Sequence, residues 1–212
     1  MTYQFNLQYP HTEILDRANK YLEKREPNGK TGVQEDRRME KAGRCLVNRR
    51  FRYACVVMIV LWKSHRPLWL FKQNAASDVE AAIKAATAAT HAGDFRRAVK
   101  ALMKLKGVGL KMASAILTAM FPTIYTVCDV RASEALGQKD YGSLRYYLAY
   151  LAACRSMAAQ YGVTLRDFDR ANWQWSWEQS QNKRKRQCRK PCAGTTAAVG
   201  VTTAPLIAYS IA

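Results

Sequence analysis

The sequence predicts an all-α fold, a compact multi-helix domain, and three features carry that expectation. Residues 49–63 turn almost continuously apolar after Tyr53, and the length of the run suits a buried helix better than a strand. An alanine-rich stretch extends from Ser77 and Asp78 to about Thr90. Breakers at Pro67, Gly93-Asp94, Pro122 and Gly137 end helical stretches.

Taken in order, residues 1–36 mix polar and aromatic side chains and form an N-terminal segment that packs on the domain or leads into it. A loop is expected over residues 27–32 (PNGKTG). Helical patterning starts near Arg37, runs through the apolar helix to Pro67 and resumes with the alanine-rich helix. Residues 95–105 form a basic helix with Phe95, Val99, Leu102 and Met103 turned inward. A hairpin at Lys106-Gly107-Val108-Gly109 leads into a helix over 110–120 that Pro122 stops. Residues 123–128 are extended in character, and Asp129 opens a helix through Leu136 that Gly137 ends. Helices over 141–160 and 165–180 complete a helical domain over residues 37–181. Residues 182–212 form a basic tail expected to be disordered.

The chain has 212 residues and a formal charge of +18, from 34 Lys and Arg against 16 Asp and Glu. Hydrophobic residues make up 49 %, which excludes a wholly disordered basic protein and leaves a folded one with an acidic partner. Six of the positive charges lie in residues 183–190, so the folded body keeps +12. Nucleic acid is the first expectation for the partner. Cys45, Cys55, Cys128 and Cys154 lie in apolar or helical stretches and read as reduced, buried thiols, and no Cys-x-x-Cys pair occurs. The three histidines lack metal spacing, so neither metal nor cofactor is expected. No signal peptide opens the chain, and residues 195–212 carry Gly200, Pro205 and several threonines, a poor membrane span. Cytoplasmic location, no membrane partner and a monomeric chain follow as expectations.

The segment richest in chemistry runs from Leu105 to Asp129. Gly107 and Gly109 permit a tight turn with close backbone approach, and a helix starts immediately after it. Its free N–H groups and positive dipole end face whatever sits at the turn, with Lys104, Lys106 and Lys111 around it. A phosphate is the natural occupant. A plain helix–helix connection would read the same way from Gly-Val-Gly alone.

The longer pattern, Leu-x-Gly-Val-Gly-x-Lys-x-Ala, then an apolar helix, a Pro-bearing connector and Asp129, resembles the helix-hairpin-helix (HhH-GPD) DNA glycosylase superfamily. The eighteen-residue step from Lys111 to Asp129 is similar to the endonuclease III type. The resemblance covers roughly residues 50–137 and is strongest over 105–137. It implies a DNA N-glycosylase that flips a damaged or modified base out of double-stranded DNA and excises it, leaving an abasic site. Asp129 falls on the catalytic carboxylate, which stabilises an oxocarbenium-like sugar and orients the attacking water. As a preferred N-cap residue it can also simply open the helix after it. Lys111 falls on the lysine that forms a Schiff base in members with abasic-site lyase activity, and a phosphate anchor is the other reading.

Two departures accompany the match. Val130-Arg131 follows the aspartate where the family carries a Thr-His or similar pair, and Arg131 could pair with Asp129 or hold a phosphate. Cys154, Cys188 and Cys192 do not reproduce the four-cysteine iron–sulfur loop, so no cluster is expected.

The resemblance places a wedge segment at Trp62, Lys63, Ser64, His65 and Arg66, which would fill the vacated stack or touch the flipped base. A pair of core tryptophans, Trp62 and Trp69, under a solvated cap fits the same residues. Asp169, Trp173 and Trp177 share one helix face, with Trp173 either a pocket wall or core packing. Repair is one setting for such an enzyme, and defence against phage DNA with hypermodified bases is another. The alternative class is a non-catalytic helix-hairpin-helix DNA-binding module of a repair or restriction assembly, which needs the hairpin but not Asp129.

Overall fold

The computed structural model describes residues 3–24, 29–48, 51–139 and 142–188, with side chains as far as Arg184. Among these residues every regular element is a helix: α1 (Ile14–Glu23), α2 (Gly32–Val47), α3 (Tyr53–Lys63), α4 (Leu68–Phe71) and α5 (Ala76–His91). They are followed by α6 (Phe95–Leu102), α7 (Leu110–Met120), α8 (Val130–Glu134), α9 (Leu144–Gln160) and α10 (Leu165–Cys188). None is long and apolar enough to cross a membrane.

Helix α7 is the centre. Of its eleven residues only Lys111 escapes burial, and α2, α3 and α6 pack around it. The α2–α7 contact is made backbone to backbone: a Cβ on Gly43 would fall 1.8 Å from the carbonyl oxygen of Ala119. That crossing excludes any side chain at residue 43. Helix α10 gathers a second group, α1, α8 and α9. Residues 3–9 strap this group together. The Asn6 and Gln8 N–H groups donate to the Leu136 and Ala135 carbonyls (3.2 and 2.9 Å), and Tyr9 donates to Asn172 on α10 (2.8 Å).

Several expectations need correction. A whole helix, α1, lies within residues 1–36, on an apolar stripe of Ile14 and Ala18 that the polar surroundings obscure. Helix α2 begins at Gly32, five residues before Arg37, because Thr31 and Gln34 form a reciprocal capping box. The apolar helix stops at Lys63, and Pro67 instead precedes the single turn of α4. Met103 is 40 % exposed, past the end of α6, whose inward face is Ala98, Val99, Ala101 and Leu102. Helix α10 continues through the basic run to Cys188 and does not stop near Gln181. Of the loop over 27–32, Pro27 and Asn28 lie outside the described residues, as do Cys192 and the rest of the tail from 189 onward.

Candidate active site

The segment after α7 sets up the site. Residues 122–124 form a turn after the helix, with the Ile124 and Tyr125 N–H groups both donating to the Phe121 carbonyl (3.0 Å). The stretch expected to be extended over 123–128 is therefore a connector only from Tyr125 to Cys128, where it is pinned from two sides. The Ser114 hydroxyl accepts from the Cys128 N–H (2.8 Å) and donates to the Lys111 carbonyl (2.9 Å). The buried Tyr147 hydroxyl donates to the Thr126 carbonyl (3.0 Å). One hydroxyl thus couples the first turn of α7 to the residue before Asp129. Asp129 then caps α8, its Oδ1 accepting from the Arg131 N–H at 3.0 Å.

The other carboxylate oxygen, Oδ2, accepts from Nζ of Lys63, the last residue of α3. Both side chains are largely buried, 15 % exposed for Lys63 and 21 % for Asp129. Burial alone would push the Asp129 carboxyl up. The charge and hydrogen bond of Lys63, the Arg131 N–H and the charge of Lys111 outweigh it and hold the carboxyl below its ordinary value. The Arg131 guanidinium goes elsewhere, to the Ser180 hydroxyl (3.2 Å) and toward the Trp173 ring (5.3 Å). The expected cation beside Asp129 is therefore Lys63, and Arg131 contributes only its backbone.

Lys63 and Asp129 face a cavity of about 680 Å³ between the two helix groups. Trp62, Ser64 and His65 line it on the α3 side, and Trp173 on the α10 side. Five of the six wedge and pocket candidates thus reach one space, because α3 ends at the cavity wall and carries the following turn along it. Arg66 is exposed and is not part of the lining. Trp69 is 65 % exposed, so the reading that placed it in the core is wrong; α4 is a single turn and buries only Phe71. Trp173 meets a second cation, with Lys24 Nζ 4.6 Å from its ring.

Part of the cavity lining is a cluster of charges, Arg166, Asp169 and Arg170. Arg166, buried on α10, donates to both oxygens of Asp36 (3.0 and 2.9 Å) and to Asp169. Arg170 donates to Asp36 (2.8 Å), Glu40 (3.1 Å) and Asp167 (2.9 Å). Burial opposes the charge on Arg166, but Asp36 and Asp169 overcome it and hold the guanidinium firmly protonated. Asp169 moves the other way: burial raises its carboxyl more than Arg166 lowers it. Arg166, Asp169, Arg170 and Trp173 follow the helical spacing that puts them on one face of α10. The Arg166 guanidinium sits 5.4 Å from the Trp62 ring and so supports one wall. Asp36 and Arg166 carried no motif; their partners lie 130 residues apart in the chain.

The hairpin stands apart from the cavity. Gly107 has φ +76°, and a Cβ there would meet the Phe71 nitrogen and the Pro67 oxygen, each at 2.9 Å. The turn is therefore packed against α4 by bare backbone. Asn74 grips it from both sides, donating to the Lys106 carbonyl (3.0 Å) and accepting from the Lys106 N–H (2.9 Å). Val108 is buried and anchors the loop, whereas Lys104, Lys106, Gly109 and Lys111 face solvent. Gly109 precedes α7, and no side chain caps that helix. Lys111 lies outside the cavity lining, though its charge acts on both Cys128 and Asp129.

No protein-family model, curated protein or solved structure matches the chain.

Proposed function

We propose that the protein is a DNA N-glycosylase of the helix-hairpin-helix (HhH-GPD) type, which flips a damaged or modified base into the cavity and hydrolyses its C1′–N bond. The observation that carries this reading is Asp129: a carboxylate held ionised at the wall of a base-sized cavity, on a connector tied by Ser114 to the first turn of α7. As the base departs, positive charge builds on the sugar. A fixed carboxylate stabilises that charge and orients the water that attacks it. A space of about 680 Å³ lies within the range of small-ligand pockets and accommodates a flipped nucleotide. Trp62 and Trp173 supply apolar walls for the base, and Ser64 and His65 supply hydrogen-bonding groups at its edge.

The hairpin supplies the grip on duplex DNA. The uncapped N-terminus of α7 and the exposed Lys104, Lys106 and Lys111 form a phosphate-binding surface held rigid by Asn74 and Gly107. A cytoplasmic, monomeric enzyme acting in repair, or against phage DNA with modified bases, fits this chemistry.

The test is mass spectrometry of free bases after incubation with duplexes carrying different damaged and modified bases. The proposal expects release of at least one base, leaving abasic sites in the duplex. A non-catalytic DNA-binding module would bind the same duplexes and release none.

A further inference from the structure

Helix α10 is held by the rest of the domain as far as Ser180. Trp173 lines the cavity, and Glu178 is bridged by Arg17 of α1. Lys24 Nζ stands 5.2 Å from the Trp177 ring, and the Ser180 hydroxyl accepts from the Arg131 guanidinium (3.2 Å). Asn182, Lys183 and Arg184 are exposed, and the helix continues to Cys188, so about 10 Å of it runs past the last of these contacts. Positions 183–186 read Lys-Arg-Lys-Arg. Successive helix positions turn by about 100°, so the four cations are distributed around the axis and not along one face. No acid lies three or four positions from any of them, and none follows Glu178 in the chain, so the helix has no pairs of its own to offset this charge. Residues 179–187 carry no apolar side chain either.

We infer that the C-terminal turns of α10 enter the major groove of double-stranded DNA beside the place where the cavity engages it. The choice of neighbouring site rests on the proposed function; the groove contact does not. A rod that is positive on every side fits a partner that flanks it with anions on both sides. The major groove of DNA, about 12 Å wide between two phosphate ridges, admits an α-helix in that way. A flat anionic bilayer calls for a helix with one cationic and one apolar face. The major groove of duplex RNA is too narrow to enter. Register points the same way. Arg184 lies eleven residues, three turns, after Trp173, on the same face of α10 as the cavity wall and about 16 Å further along. That reach is about half a turn of duplex, so one stretch of DNA meets the cavity and the basic turns together.

The experiment uses the full chain and an undamaged duplex, so no base need be released. Replacing Lys183, Arg184, Lys185 and Arg186 together by Gln, a good helix former, should reduce the slope of log affinity against log salt by about four. Asn182→Pro keeps every charge but breaks the rod where it leaves the domain, and should lose most of the affinity that the quadruple variant loses. Both changes lie beyond the packed part of α10, so thermal melting should be unaltered. Dimethyl sulfate reads the groove, since it methylates guanine N7 in the major groove and adenine N3 in the minor one. At saturation the unaltered protein should protect N7, and the quadruple variant should lose that protection with N3 reactivity unchanged. An undiminished slope in the quadruple variant, full affinity in Asn182→Pro, or equal N7 reactivity with both proteins overturns the inference. Tighter binding of phosphatidylserine vesicles than of duplex overturns it too. Base release together with an undiminished slope removes the groove contact and leaves the glycosylase reading standing; the expected slope and protection without base release from any duplex do the opposite.

Discussion

The Lys63 ammonium donates to the Asp129 carboxylate across 66 residues of chain, joining the end of α3 to the cap of α8. The pair decides at what pH the carboxylate is ionised. With Lys63 in place the folded carboxyl lies below its ordinary value. Base release should therefore persist down through the usual carboxylate range and fail only below it. Lys63→Met leaves burial unopposed by its nearest cation, and the acid limb of the pH–rate profile should move up. An unmoved limb in a folded variant would mean that Lys63 does not set the ionisation of Asp129.

The same pair contributes to stability with a definite sign. A carboxyl depressed in the folded state stabilises above the ionisation range of the unfolded chain, and the contribution disappears as pH falls through the folded value. Thermal melts of the unaltered protein and Lys63→Met should thus converge in strong acid, below the ordinary carboxylate range, and separate above it. A gap independent of pH would assign the effect of Lys63 to packing.

Gly107 carries both a left-handed backbone and a backbone-tight contact with α4. Gly107→Ala should cost about 1–3 kcal/mol from the conformation alone, with the clash adding to it. Asn74→Ala should leave most of the stability but loosen the turn, weakening duplex affinity. Calorimetry and binding titrations separate the two effects, and unchanged affinity in Asn74→Ala would exclude the turn from the DNA interface.

The hairpin lysines make an electrostatic prediction. Replacing Lys104, Lys106 and Lys111 by Ala should reduce the slope of log affinity against log salt by about one per lysine, largely irrespective of DNA sequence. A slope unchanged in the triple variant would place the phosphates elsewhere.

The charge cluster in the cavity lining is tested by Asp36→Ala, which strips Arg166 and Arg170 of a shared carboxylate. Leaving Arg166 buried beside Asp169 alone should cost about 3–5 kcal/mol. Chemical denaturation reads this directly, and a loss under about 1 kcal/mol would show that water reaches the cluster.

What the sequence made legible was local. Residues 110–120 read as a helix and are one, because Gly109, the apolar run and Pro122 mark both ends within the segment. Asp129 read as a cap and caps α8 for the same reason. The Thr31–Gln34 capping box was equally local, yet the polar residues around it masked the helix it opens. The partner of Asp129 was beyond reach: Lys63 looked like part of a wedge, and only the way α3 packs on α7 brings it to the carboxylate. Asn74, Tyr147 and Arg166 were hidden for the same reason, since each has a hydrogen-bond partner at least 21 positions away.

The central claim concerns Asp129, and Asp129→Asn addresses it with little structural disturbance. Asn is as good an N-cap as Asp and is close to it in shape, so α8 and DNA binding should survive. Base release from a duplex that the unaltered protein processes, followed by mass spectrometry under single-turnover conditions, should fall by about a hundredfold or more, the scale of losing a group aimed at developing charge. Release at an undiminished rate by a folded, DNA-binding Asp129→Asn variant would contradict the account.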